Sequence, residues 1–336
     1  MTPVAPRVAI PLTLSAPRSL PADGRLLRLG GATMGTSWSV RCIAAPTNEP
    51  LLHRAITAEL DRVVMQMSPW QPGSDIDRFN RGAIGPWQTL PKEFAAVMAC
   101  ALRIADETGG AYDPCMGASV DLWGFGPGGR GAAPPSREAI ERAKQASGAR
   151  HLDFDATQRR ARRNAPLRLD LCGIAKGFAV DQVIRALRRR GVDHTLVEIG
   201  GELAGCGVKP DRMPWWVAIN RPVGEQLSTA PLLVALHGMA IATSGCERGY
   251  AQHGRHFSHS IDPRSGAPID NAMVSASVLH ASCMEADAYA TALMVLGPQA
   301  GPAFAAQRRL AAALLFRSPD GALVENISPT LQAMLD

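Results

Sequence analysis

The sequence predicts a mixed α/β fold, and three patterns predict it. Leu167, Leu169 and Leu171 alternate with Arg168 and Asp170, the period of a strand. After Gly173 and Gly177, the residues Ala179, Val183, Ala186 and Leu187 recur at helical spacing, and Gly191 ends that helix behind a basic last turn. Near the C-terminus Ser318-Pro319-Asp320-Gly321 separates apolar runs at 311–316 and 322–324, a hairpin signal.

The other elements follow in chain order. Residues 1–24 are Pro-rich and broken, and read as a flexible tail ahead of one domain over 25–336. Strands are predicted at 26–29 and 38–43 around a glycine-bearing turn, then a helix at 51–67 and a loop at 68–82. A second helix at 91–108 carries Phe94, Val97, Met98, Ala101 and Leu102 on one face and stops at Gly109-Gly110. The glycine-rich segment 111–135 precedes a helix at 136–147 with Glu138 in its first turn. Strands are predicted at 196–199, 215–219, 232–236 and 239–243. Ser282 and Glu285 have capping-box spacing and start a helix over 282–297.

Composition narrows the class. The chain has 336 residues, 46% hydrophobic and 19% charged, enough for a large core and typical of a globular protein. The net charge of +5 comes largely from basic clusters at 159–168, in a polar hairpin-like segment, and at 185–190. Neither contains an aromatic residue, so both read as solvated surface and not as a nucleic-acid site. The seven cysteines are singletons without a C-x-x-C pair, which argues against a zinc or redox motif and fits a reducing compartment. The longest apolar run of the tail, Val8 to Leu14, is interrupted by Pro11, and no run is long enough to span a membrane. The expected compartment is therefore the cytoplasm, with the periplasm as the alternative.

Five segments carry candidate chemistry. The strand–turn–helix around Leu169 to Asp181 presents backbone N–H groups to an anion, with Asp170 and Lys176 placed to add charge. Asp170 could equally cap the turn and Lys176 be solvated. Asp287 and Thr291 stand four residues apart on one helix face, a carboxylate and a hydroxyl suited to Mg²⁺, or a dipole partner and a back-bonded threonine. His259 lies in a turn-rich segment, as a hydrogen-bonded histidine, a phosphate donor or an acid–base group. Ser244 follows a strand as a turn residue or a phosphate contact. Gly30 to Trp38 offers close backbone approach to a planar ligand, with Met34 against its ring or in the core.

Taken together, these segments resemble the ApbE family, the FAD:protein FMN transferases. The resemblance covers about residues 27 to 330 and rests on an ordered set: TMGT (33–36), SDIDRFNRG (74–82), YDPCMG (112–117), WGFG (123–126), LDLCGIAKGFAVD (169–181), EIGGEL (198–203), ATSG (242–245), HSIDPRSG (259–266) and ADAYATAL (286–293). It implies a T-fold-like core with a FAD-binding cleft and Mg²⁺. It also implies cleavage of the FAD pyrophosphate, transfer of FMN to a Ser or Thr hydroxyl of an acceptor flavoprotein, and release of AMP. Such acceptors carry a motif of the type D-G-x-[ST]-G-A-[ST], which this chain lacks. By position, Met34, Trp70, Ala111, Tyr112, Asp113, Asp170, Lys176 and Ile261 are implied to contact FAD. The Gly173 carbonyl with Asp287 and Thr291 is implied to hold the metal, with Lys176 neutralising phosphate charge.

The general base would be Asp287 or His259. Asp287 ranks slightly ahead by its place on a helix beside the metal, although a metal-bound Asp is a poor base. The chain departs from the family pattern at Cys115, at Cys172 and in lacking a Pro after Gly117. It also has no N-terminal lipidation Cys, Cys42 being the first. Two other functions fit the same residues: a FAD pyrophosphatase that gives FMN to water, and a FAD-binding or storage protein. A pure binder has no need of the Asp287–Thr291 pair.

Overall fold

The computed structural model describes residues 5–335 except 130, 132, 220, 222–226, 228 and 253. Its centre is an eight-stranded sheet whose spatial order follows the chain: Arg25–Thr33, Thr36–Ala44, Thr195–Ile199, Glu202–Cys206, Met239–Gly245, Met273–His280, Ala311–Arg317 and Leu323–Ile327. Every neighbouring pair in it is antiparallel. The helices are α1 (Glu49–Met67), α2 (Asp75–Arg81), α3 (Lys92–Glu107), α4 (Gly117–Leu122), α5 (Arg137–Ala146), α6 (Ala175–Arg188), α7 (Cys283–Gln307) and α8 (Pro329–Ala333).

Period-two alternation decides which layer covers which face. Ala240, Ala242, Ala276, Val278, Ala312 and Leu314 join the large core beneath α1, α6 and α7. Their alternates Ile241, Leu279, Ala311 and Ala313 face a second core under α8 and a small sheet of Arg7–Ala9, Leu232–Leu236 and Trp215–Ala218. The small residues on the helix side let α6 and α7 lie close to the sheet, and this closeness builds the cleft.

Four expectations need correction. The tail is not flexible throughout: Arg7–Ala9 pairs in parallel with Leu232–Leu236, Ala9 is fully buried, and the Ile10 N–H donates to the Met334 carbonyl at 2.8 Å. Arg7 also pairs with Glu325 at 2.6 Å, so a sheet edge and a buried carboxylate hold the segment down. Leu167, Leu169 and Leu171 are buried, but the segment is not a strand. Its backbone bonds go instead to the Asn80 side chain, at 2.7 and 3.0 Å through Leu169, and to the Pro114 carbonyl at 2.8 Å. The loop predicted at 68–82 contains α2, capped by Ser74, whose hydroxyl accepts the Asp77 N–H. Finally, Ser282 accepts the Glu285 N–H, but Glu285 turns away to pair with Arg103, so the capping box is half made.

Among the described residues no helix is long and apolar enough to cross a membrane. The basic cluster at 159–168 acquires an aromatic from elsewhere in the chain, since Arg160 and Arg162 stack on Trp87 at 4.5 and 4.8 Å. Asp155 and Asp153 pair with the same two arginines.

Candidate active site

Helices α6 and α7 cap each other. Asp181 of α6 accepts hydrogen bonds from the Ser282 hydroxyl and the Cys283 and Met284 N–H groups, at 2.8, 3.0 and 3.1 Å, and so fixes the start of α7. In return Asp287 of α7 accepts the Gly177 N–H at 3.0 Å, near the start of α6. The contact requires glycine, because a Cβ at 177 would lie 2.2 Å from the Cys283 carbonyl oxygen. The free helix N–H anticipated for an external anion is therefore occupied in part by the chain's own carboxylate.

This crossing brings the charged residues together. Lys176 bonds Glu202, which follows a Gly200–Gly201 turn with φ of +61° and +104°. The Ser244 and Thr291 hydroxyls lie 3.2 Å apart. A Cβ on Gly173 would stand 3.1 Å from Thr291 Oγ1 and 3.4 Å from the Tyr112 ring, so the backbone at 173 lies against the threonine hydroxyl. Asp170 makes an Asx turn, its carboxylate accepting the Cys172 N–H at 2.7 Å. Met34 and Gly35 form a two-residue hairpin loop with φ of +48° and +70°; a non-glycine residue in that region is strained, and here it borders the cleft.

The cleft holds about 1000 Å³, the upper end of small-molecule sites. Met34, Trp70, Ala111, Tyr112, Asp113, Asp170, Gly173, Lys176, His259, Ile261, Asp287 and Thr291 all line it, so the fold brings the candidate catalytic, cofactor and metal residues together. Asp113 and the Gly30–Gly31 pair differ from expectation in detail. Both carboxylate oxygens of Asp113 accept backbone N–H groups, of Cys115 at 2.8 Å and Ala149 at 3.1 Å, which makes that side chain a staple between loops. Gly30 and Gly31 lie in a strand away from the cleft, and a Cβ on Gly31 would stand 2.7 Å from Trp38 Nε1; that glycine makes room for the indole.

Burial sets the electrostatics. It raises the Asp287 carboxyl, against the pull of Lys176 and the Gly177 N–H. Burial, then the like charge of Asp287, pushes Glu202 up to about 7, with Lys176 acting the other way. Burial opposes the Lys176 charge, but Asp287 and Glu202 together outweigh it and the ammonium is raised above its ordinary value. Burial lowers His259. The His259 Nδ1 lies 2.8 Å from the Arg248 carbonyl, an acceptor only, so that nitrogen carries the proton and Nε2 keeps a lone pair.

The donor set fits a hard cation. The Gly173 carbonyl, the Asp287 carboxylate and the Thr291 hydroxyl are all oxygens, and no cluster of three His, Cys, Asp or Glu residues suited to a softer metal occurs among the described residues. Tyr112 Oη and Glu202 Oε2 are buried without partners on the same cleft, and await a ligand's donors and acceptors.

Sequence reasoning missed Glu202, Arg248 and Asp181 as parts of this site. Glu202 and Arg248 line the cleft, and Asp181 holds α7. The Gly-Gly-Glu after a predicted strand was the available signal for Glu202, and Asp181 closes the motif at 169–181.

Known proteins resemble this chain in sequence and in fold. The model of the ApbE family matches residues 34–315. A FAD:protein FMN transferase of Vibrio cholerae is 36% identical over 299 residues, covering 88% of this chain and 89% of the relative. One from Escherichia coli K12 is 34% identical over 299 residues, covering 87% and 84%. The flavinyl transferase ApbE of Pseudomonas stutzeri, solved in its apo form, superposes with a TM-score of 0.85 at 35% identity, covering 93% of this chain and 97% of that one. The chain belongs to the ApbE family.

Proposed function

We propose that this protein transfers FMN from FAD to a Ser or Thr hydroxyl of an acceptor flavoprotein and releases AMP. The observation that carries the reading is the convergence of Gly173, Lys176, Asp287 and Thr291 on one cleft of about 1000 Å³. The relatives named as FAD:protein FMN transferases support it. In the reaction the acceptor oxygen forms a bond to the FMN phosphorus and the bond from that phosphorus to the AMP oxygen breaks. The hydroxyl proton passes to a base and AMP leaves as its anion.

The residues divide that work. Trp70, Met34 and Tyr112 bound the flavin, the rings and thioether supplying apolar contact. Lys176 faces the pyrophosphate, where a half-buried cation offsets the negative charge that resists attack. Gly173, Asp287 and Thr291 would hold Mg²⁺, which when bound neutralises pyrophosphate oxygens as a Lewis acid. His259 takes the acceptor proton at Nε2, because its tautomer leaves that nitrogen basic and burial keeps the ring neutral. Asp287 is the poorer base: one oxygen already accepts the Gly177 N–H, and the carboxylate would also hold the cation. The acceptor carries a D-G-x-[ST]-G-A-[ST] type segment, and the reaction takes place in the cytoplasm or the periplasm.

The test incubates the protein with FAD, Mg²⁺ and a peptide bearing that motif, with and without EDTA. An acceptor mass gain equal to FMN, lost with EDTA, supports the reading. Free FMN and AMP beside unmodified acceptor point to a pyrophosphatase, and bound intact FAD points to storage.

A further inference from the structure

Three ionic groups share one corner of the cleft, two of them buried carboxylates and only one a cation. Asp287 and Glu202 are 3% and 2% exposed, so both carboxylates compete for the Lys176 ammonium with little solvent screening. Lys176 immediately precedes Gly177, whose N–H Asp287 holds at 3.0 Å, so the lysine and Asp287 meet at the same helix start. Left to itself, that ammonium would settle on Asp287 and fill the place of a metal ion. It does not: Nζ bonds Glu202 Oε1 instead.

Glu202 is aimed at the lysine by backbone and not by its own polar contacts. The Gly200–Gly201 turn closes a hairpin in which Ile199 pairs with Glu202. A Cβ on Gly200 would stand 2.8 Å from Thr36 Cγ2, which pins the turn against the neighbouring hairpin. The second carboxylate oxygen, Oε2, is buried without a partner. Such an atom costs about 1–3 kcal/mol, and no hydrogen bond within the fold offsets it. A carboxylate kept at that cost against a lysine calls for a role beyond stability.

We propose that Glu202 is a positioning residue that holds the Lys176 ammonium off Asp287 and so keeps the Asp287 carboxylate open to a divalent cation. The inference rests on the transferase reading above but concerns the protein's own ion pairs. It assigns Glu202 a part in metal loading: with the glutamate present the lysine and the metal have separate anionic partners, and without it they compete for one.

The experiment titrates the full-length protein with Mn²⁺ and reads binding from the loss of the free-ion electron paramagnetic resonance signal, without turnover. Wild type, Asp287→Ala, Glu202→Gln, Lys176→Met and the Glu202→Gln/Lys176→Met double variant are compared. E202Q is expected to weaken Mn²⁺ binding about tenfold. K176M should bind at least as tightly as wild type. In the K176M background E202Q should matter less than about threefold, because the competing ammonium is gone.

An equal loss in both backgrounds overturns the proposal, since Glu202 would then act on the cation directly; so does no loss in either. Should E202Q fail to fold, Glu202→Asp keeps the charge and shortens the reach, and an intermediate loss that vanishes in the K176M background gives the same support. Equal Mn²⁺ binding by wild type and D287A overturns the metal assignment, and this inference with it. Failure of the E202Q arms alone leaves the transferase reading standing.

Discussion

The two walls of the cleft are built differently. On one side Asp287, Glu202 and Lys176 sit on α6, α7 and a tight hairpin, the two carboxylates nearly inaccessible and their neighbours fixed by glycine-dependent close contacts. On the other side Trp70 is 56% exposed, and Met34, Val120 and Phe125 come from loops or short elements and are half-buried. The difference follows from what each wall faces. Charge in a reaction at phosphorus must be met by groups placed to within tenths of an ångström, which only a packed core provides. A flat ring needs area more than position, and surface loops supply that.

The largest effect should come from the packed wall. Asp287→Ala is expected to cut Mg²⁺-dependent FAD turnover about a thousandfold. Its melting temperature should stay within about 4 °C of wild type, because the lost hydrogen bond is balanced by removal of a buried charge. Turnover assays beside thermal melts check this, and unchanged turnover would remove Asp287 from the metal site. Gly177→Ala differs in kind: its Cβ meets the Cys283 carbonyl at 2.2 Å, so the helix pair must part. Overpacking of that sort costs about 1–3 kcal/mol. Denaturant unfolding should show that loss together with reduced turnover, whereas a stable and active G177A would mean that the close crossing is not needed.

This contrast also explains what could be read from sequence. Helices α1, α3, α5, α6 and α7 were legible because a continuous apolar face and end signals such as Gly191 and Ser282 are local properties. The alternation of Leu167, Leu169 and Leu171 reported burial correctly but not pairing: the segment's partners are the Asn80 side chain and the loop at Pro114, remote in sequence. α2 was hidden by length, since seven residues carry too little periodicity to be seen. On the site, the candidate catalytic, cofactor and metal residues taken from dense motifs line the cleft. Glu202 escaped because its role depends on Lys176, met only through the third dimension, and Asp181 because it caps a helix more than a hundred residues later in the chain.

Between the two walls stands His259, half-buried and edge-on to Phe125 at 6.5 Å. Burial lowers its pKa from the ordinary 6.5, so the basic ring persists as pH falls through that value and is lost only below it. Transfer should therefore hold its rate through pH 6.5, with the acid limb beneath. His259→Ala should cost about a hundredfold in kcat and flatten that limb. The same depression gives the sign for stability: the unfolded chain takes up the proton first, so stability declines as pH drops below the unfolded value. A wild-type acid limb centred above 6.5, or an unaltered limb in H259A, would assign the base elsewhere.

The smallest effect belongs to the exposed wall. Trp70 keeps more than half its surface in solvent, so it contributes to FAD only the area a ring would cover. Stacking is worth about 0.5–1.5 kcal/mol beyond that area. Trp70→Ala should raise the KM for FAD about three- to tenfold while kcat moves less than twofold, because the indole belongs to the exposed wall and the charges proposed to act on phosphorus belong to the packed one. Trp70→Phe should recover most of the loss, since a ring of either kind presents a face. A fall in kcat as large as the rise in KM would show that Trp70 also sets the position of the pyrophosphate, and that the two walls act together and not separately.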